Sequence, residues 1–276
     1  MLSRDLSFGY MNSNTGRLMI ESQVLANEPS FIEIQVHDES ARQRHVPRLA
    51  NSFKGYITIH GEGETDIRDR IRFCSTDYTQ RKHYIESSAK LYLSAVNCIG
   101  SHGVRRIVLH PDALSRKQDR NEQLQILADS LAELKDLLPR STTLCIEPRG
   151  DVRQGKVLRL DLDDLVRFRD SLGNRSAIGL CIDIAQLFVT QGNQGIGRFL
   201  RGIKETDLSV NELHLSDVLS TEHVKNRVAM EIGRGAIDWN LILPDLKTTC
   251  SDWLIETLGG ITVFRRSKAF LEKMAS

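Results

Sequence analysis

Leu180-Cys181-Ile182-Asp183 is a short apolar run that stops on a carboxylate, and the same pattern recurs along the chain. It returns in Ile57-Thr58-Ile59-His60, Ile107-Val108-Leu109-His110, Leu144-Cys145-Ile146-Glu147, Leu213-His214-Leu215 and Trp253-Leu254-Ile255-Glu256. Apolar runs of this length read as strands covered on both faces, and an acid or imidazole at the C-terminal tip of such a strand has no packing reason to be there. In a barrel of parallel strands all those tips share one mouth, where active sites are built. A single strand-end acid reads equally as an ion-pair partner or a helix cap; six at successive strand ends read as ligands for a shared cation.

Outward from these runs, strand-like and helix-like segments alternate, which is the signature of βα units on a parallel sheet. The strand candidates are 6–10, 31–36, 56–60, 106–110, 143–147, 178–183, 212–215 and 252–256. The helix candidates are 16–27, 41–52, 80–99, 118–137, 161–171, 196–205, 239–246 and 267–274. About eight of each predict an α/β fold, a closed (β/α)8 TIM barrel, and 276 residues suit one such domain over 1–276 because the architecture typically needs roughly 250. Leu124, Leu127, Leu131, Leu134 and Leu138 recur at three- and four-residue steps, the stripe of a barrel-coating helix. Asp161, Asp163 and Asp164 stand where a helix begins and read as caps. Gly192-Asn193-Gln194-Gly195-Ile196-Gly197 does not follow a strand directly, as a dinucleotide fingerprint would, and is expected to be a flexible loop. The irregular stretches 61–76, 148–160 and 216–238 all follow strands and should crowd the mouth.

Lys+Arg 37 against Asp+Glu 36 gives a net charge of +1, which lacks the positive field of avid nucleic-acid binders and leans towards a small substrate. The five cysteines have no CxxC spacing, which fits reduced thiols rather than a disulfide framework. No signal-like N-terminal run and no stretch of about 18 apolar residues is present, so a cytoplasmic protein without a membrane partner is expected.

At the strand ends the chain resembles the endonuclease IV branch of the xylose isomerase-like TIM barrels. The matching stretches are His60 after its apolar strand, "VLHP" ending at Pro111, "CIEP" at 145–148, "GLCIDIAQLF" at 179–188, "LHLSD" at 213–217, "IGRGAIDW" at 232–239 and "LIET" at 254–257. The resemblance implies a first zinc held by His60, His110 and Glu147, with Glu147 bridging to a second metal on Asp183, His214 and Glu256. That branch has a third site, with a histidine where this chain has Gln186 and an Asp-x-His pair where it has Arg227-Val228-Ala229; His223 lies too far upstream to substitute. In the isomerase and epimerase branch the resemblance implies one Mn²⁺ or Mg²⁺ on Glu147, Asp183, His214 and Glu256, with both glutamates exchanging protons with a sugar. There too a histidine, one that helps to hold substrate oxygens, stands where this chain has Gln186.

Two chemistries therefore stand side by side. In the first, one or two divalent ions (Zn, Mn or Mg) hydrolyse a phosphoester, with abasic-site DNA among the candidate substrates. In the second, Glu147 and Glu256 act as acid and base on a sugar or sugar phosphate. His60 and His110 complete the second metal site in the first reading and hydrogen-bond substrate or loops in the other. Arg149, Arg153 and Lys156 follow Glu147 in a loop that either binds phosphate or is a solvated surface segment, and Arg234 in its Gly-x-Gly turn is a further phosphate candidate. A third expectation is a barrel that binds or assembles without turnover.

Overall fold

A computed structural model describes residues 6–12, 29–35, 53–61, 73–99, 103–111, 119–148, 160–173, 178–206, 208–219 and 229–276. Eight strands run in chain order: β1 (Ser7–Asn12), β2 (Phe31–Gln35), β3 (Tyr56–Gly61), β4 (Val104–Leu109), β5 (Thr143–Ile146), β6 (Ile178–Asp183), β7 (Val210–Leu215) and β8 (Asp252–Ile255). Each pairs in parallel with its neighbour, and β8 pairs with β1 to close the barrel. Among the described residues six helices coat it: α1 (Tyr78–Ile99), α2 (Arg120–Leu137), α3 (Leu162–Leu172), α4 (Ile184–Glu205), α5 (Trp239–Thr249) and α6 (Gly260–Ala275).

Alternation along the strands decides what faces where. Ile107, Leu109, Leu144, Ile146, Leu180 and Ile182 join the large cluster that the helices share, whereas Val108, Cys145 and Cys181 form a small cluster of their own. In phase with that second set come Arg106, Glu147, Asp183 and, on β7, Glu212 and His214. Phe31 fills part of the lumen by stacking on Tyr56 at 4.9 Å, and Gly9 faces it on β1, where a Cβ would lie 2.3 Å from the Phe31 ring.

All eight predicted strands are present, with ends that shift by up to two residues. The leucine stripe on α2 is fully buried at Leu124, Leu127, Leu131 and Leu134. Asp161 caps α3 in a capping box with Asp164: each carboxylate accepts the other's backbone N–H. Helix candidates 16–27 and 41–52 lie outside the described residues. The glycine-rich stretch 192–197 is a correction: it belongs to α4, which starts at Ile184 and breaks only at Gly192, with φ 66° and ψ −178°. Glycine takes that left-handed φ without a Cβ clash, and burial of Ile196, Phe199, Leu200 and Ile203 keeps the rest helical. Asn193 fastens the break, accepting from Asp238 N–H at 2.8 Å and donating to Ala236 O at 3.3 Å.

Candidate metal centre

The strand-end residues converge. Backbone N–H groups of Glu147 and Glu256 bond to Leu109 O and Leu215 O at 2.8 and 2.9 Å, so the sheet ladder runs one residue past β5 and β8 and fixes both glutamates at the C-terminal mouth. Oε2 of Glu147 is the hub: it lies 3.1 Å from His60 Nε2, 3.1 Å from His110 Nε2 and 3.5 Å from His214 Nδ1. His214 Nδ1 is also 3.5 Å from Glu256 Oε2. Asp183 ends β6 and caps α4, accepting from Gln186 N–H at 3.0 Å.

Burial and neighbouring charge oppose each other at Glu147 and His214 in this cluster. Burial pushes the Glu147 carboxyl up, but the imidazoles of His110 and His214 outweigh it and hold it well below the usual range. Burial, then the nearby Glu256 and Glu147 carboxylates, pushes Asp183 up to about 8. His214 is lowered by burial, yet Cys181, Glu33 and Glu147 carry it well above the ordinary imidazole value. His214 Nδ1 is buried and makes no hydrogen bond, although carboxylate oxygens flank it at 3.5 Å. That spacing is too long for a hydrogen bond and is close to the gap between two ligands that share a cation at about 2.0–2.2 Å from each. The donor set, oxygen-rich with imidazoles, also suits a divalent ion. The residues fit the implied metal.

Two contributors escaped the sequence reading. Cys181 joins Glu147 and His214 in a triad whose donor atoms lie within 4.8 Å of one another, and Glu33 does the same with His60 and His214. Cys181 is hidden in an apolar run, and burial drives its thiol well above its normal value. Glu33 was legible: a charged residue in the middle of "FIEIQ" breaks an otherwise apolar strand. Below them Arg106 pairs with Glu212 at 2.9 Å and Asp252 at 2.6 Å, and donates to Tyr56 OH at 2.7 Å.

Of the proposed substrate residues, Gln186 lines a cavity of roughly 280 Å³ beside Asp183, together with Arg120, Thr190 and Gln191. Arg234 is exposed in the β7–α5 connection, 3.8 Å from Glu231. Arg149, Arg153 and Lys156 lie outside the described residues, as do His223, Arg227 and Val228. Asp217 explains the "LHLSD…IGRGAIDW" wording structurally: fully buried, it accepts from the N–H groups of Val218, Gly233 and Ile237 and from the Trp239 indole.

A family model described as xylose isomerase-like TIM barrel matches residues 35–273. The chain belongs to that family. Among solved structures, this xylose isomerase-like barrel is similar to the IolI protein with a zinc atom, at 18% identity and TM-score 0.73, covering 98% of each chain. It is similar to AP endonuclease, family 2, from Brucella melitensis at 12% identity and TM-score 0.67, covering 97% of this chain and 98% of that one. An L-ribulose 3-epimerase shares 16% identity with TM-score 0.64, over 98% and 96% of the two chains. No curated protein matches in sequence. At these identities the likeness carries the fold, and relatives of endonuclease and epimerase type both share it. No helix among the described residues is long and apolar enough to cross a membrane.

Proposed function

We propose that this protein is a divalent-metal-dependent enzyme that hydrolyses a phosphoester at the barrel mouth, as a diverged relative of endonuclease IV without the third metal site. The observation that carries the reading is Glu147 Oε2 lying 3.1 Å from both His60 and His110 and 3.5 Å from His214. A carboxylate so placed can bridge two cations. His60, His110 and Glu147 would hold one; Glu147, Asp183, His214 and Glu256 would hold the other. Bound there, two ions would supply a water of lowered pKa and would offset charge on the attacking and leaving oxygens. The chain's own residues do the rest: Asp183 is fixed by the α4 N-terminus, and Glu256, with its side chain 31% exposed, is open to exchange a proton at the mouth. Arg149, Arg153, Lys156 and Arg234 are proposed to meet the phosphate, and abasic-site DNA is the first substrate to try.

A second reading, isomerisation or epimerisation of a sugar or sugar phosphate by Glu147 and Glu256 around one Mn²⁺, Mg²⁺ or Zn²⁺, is favoured by the cavity beside Asp183. Its wall sets Asp183, Gln186, Thr190 and Gln191 among the apolar Leu160, Ile182, Leu187 and Phe199, and at roughly 280 Å³ it suits a small molecule better than a duplex. Elemental analysis of purified protein, paired with two assays, tests both. Two ions per chain with nicking of an abasic duplex or cleavage of a simpler phosphoester supports hydrolysis. One ion, no cleavage, and solvent deuterium entering a ketose rejects it for the second reading, while neither turnover leaves a binding or assembly protein.

A further inference from the structure

Glu33 is fully buried in the middle of β2, and neither of its oxygens has a hydrogen-bond donor. A buried carboxyl left without donors is costly. Its Oε1 lies 3.5 Å from His214 Nε2, and its donor atom falls with those of His60 and His214 inside a 4.8 Å triad. Both rings turn their other nitrogen to the mouth: His60 Nε2 towards Glu147, and His214 Nδ1 towards Glu147 and Glu256. The two rear nitrogens, His60 Nδ1 and His214 Nε2, are buried and unpartnered. Glu212, also buried and without a donor, lies slightly farther off, with Oε1 3.7 Å from His214 Nε2, so the nearer Glu33 and the two rear nitrogens share one small interior volume.

We propose that Glu33 is a positioning residue, one carboxylate that keeps a proton on Nδ1 of His60 and on Nε2 of His214 and so turns the mouth-facing nitrogen of each ring into the donor for a cation. A neutral imidazole has one N–H and one lone pair, so whatever fixes the proton at the rear fixes the lone pair at the front. Histidine ligands almost always donate their other N–H to such an acceptor. The 3.5 Å gap to His214 Nε2 closes by rotation about the terminal torsion of Glu33, which is broad, and His60 joins through the triad whose donor atoms lie within 4.8 Å of one another. An inner cation among the same groups is the competing occupant, but it would need lone pairs at both nitrogens of each ring. The inference rests on the metal-binding reading above.

The test uses Glu33→Gln, Glu33→Leu and the surface control Glu231→Gln. Zinc and manganese affinities are measured by competition with a chromophoric chelator, melting temperatures on metal-free protein, and ring protonation by ¹⁵N NMR of histidine-labelled protein. Both Glu33 variants should bind the cation about 10–100-fold more weakly, while their metal-free forms melt no lower than wild type. In wild type, His60 Nδ1 and His214 Nε2 should carry protons with and without zinc. Unchanged affinity in Glu33→Leu, or bare rear nitrogens in wild type, overturns the proposal. So does an affinity loss matched by an equal fall in metal-free melting temperature, or the loss of one discrete ion per chain, which would make Glu33 a ligand. If wild type takes up no cation, the metal-dependent function fails; the orienting role of Glu33 is then supported if the ring proton leaves the rear nitrogens in Glu33→Leu and overturned if it stays.

Discussion

The indole N–H of Trp239 donates to Oδ2 of Asp217 at 3.0 Å, tying the start of α5 to the end of β7. The same carboxylate takes backbone N–H groups from Val218 at 2.9 Å, Gly233 at 2.9 Å and Ile237 at 3.2 Å, and is wholly buried. Asp217→Ala orphans all four donors at once. It should destabilise the fold by about 3–5 kcal/mol in urea denaturation, the range for breaking a buried charged network. A loss under about 1 kcal/mol would show that water replaces the clamp.

Glu147→Ala should abolish cation binding and activity while far-ultraviolet circular dichroism stays native, because the backbone bond of residue 147 to Leu109 O is kept and the apolar cluster of the barrel does not include it. His110→Ala separates one ion from two. It removes a donor from the first site alone, so bound metal should fall by one per chain with one ion kept. An unchanged metal count in His110→Ala would refute the paired-ion arrangement.

Arg106 offsets Glu212 and Asp252 deep in the barrel and is itself buried. Arg106→Met leaves two buried carboxylates without their guanidinium and should cost about 3–5 kcal/mol in chemical denaturation. Adding Glu212→Gln to it should recover part of that loss, since the uncompensated charge is then gone. A double variant no more stable than the single one would place the cost in lost packing instead.

Burial pushes the Cys250 thiol up to about 11, against an ordinary value of 9.0. A group whose folded pKa is raised contributes stability that is intact below its unfolded pKa and is lost as pH rises through the folded one. The stability difference between wild type and Cys250→Ser should therefore hold below pH 9 and shrink by on the order of 2 kcal/mol as pH climbs to about 11. Native-state alkylation should be slow at Cys145, Cys181 and Cys250, all buried, and faster at the half-buried Cys98. A flat difference across that pH range would disprove the assignment.

The barrel was legible because each strand carries its evidence locally. A run such as Leu180–Asp183 shows two-sided burial and a polar tip in four consecutive letters, whatever the distant chain does. The six strand-end groups were legible for the same reason, and five of them, His60, His110, Glu147, His214 and Glu256, meet within direct contact distance of a neighbour in the set. The glycines at 192, 195 and 197 misled, since their local preference for a loop is overridden by the burial of the residues between and after them. Asp183 reads as a tip acid, and nothing local shows that it also caps a helix.

What the sequence by itself determined is the kind of structure and the inventory of donors, because hydrophobic period and residue type are properties of short segments. Only the tertiary structure decided how those donors face one another. That one Glu147 oxygen serves three imidazoles, that Glu33 lies behind two of them, and that Arg106 balances Glu212 and Asp252 are facts of barrel closure. Closure brings side chains of β2, β5, β7 and β8 to one lumen across more than two hundred residues of chain, and no local pattern encodes a distance measured across it.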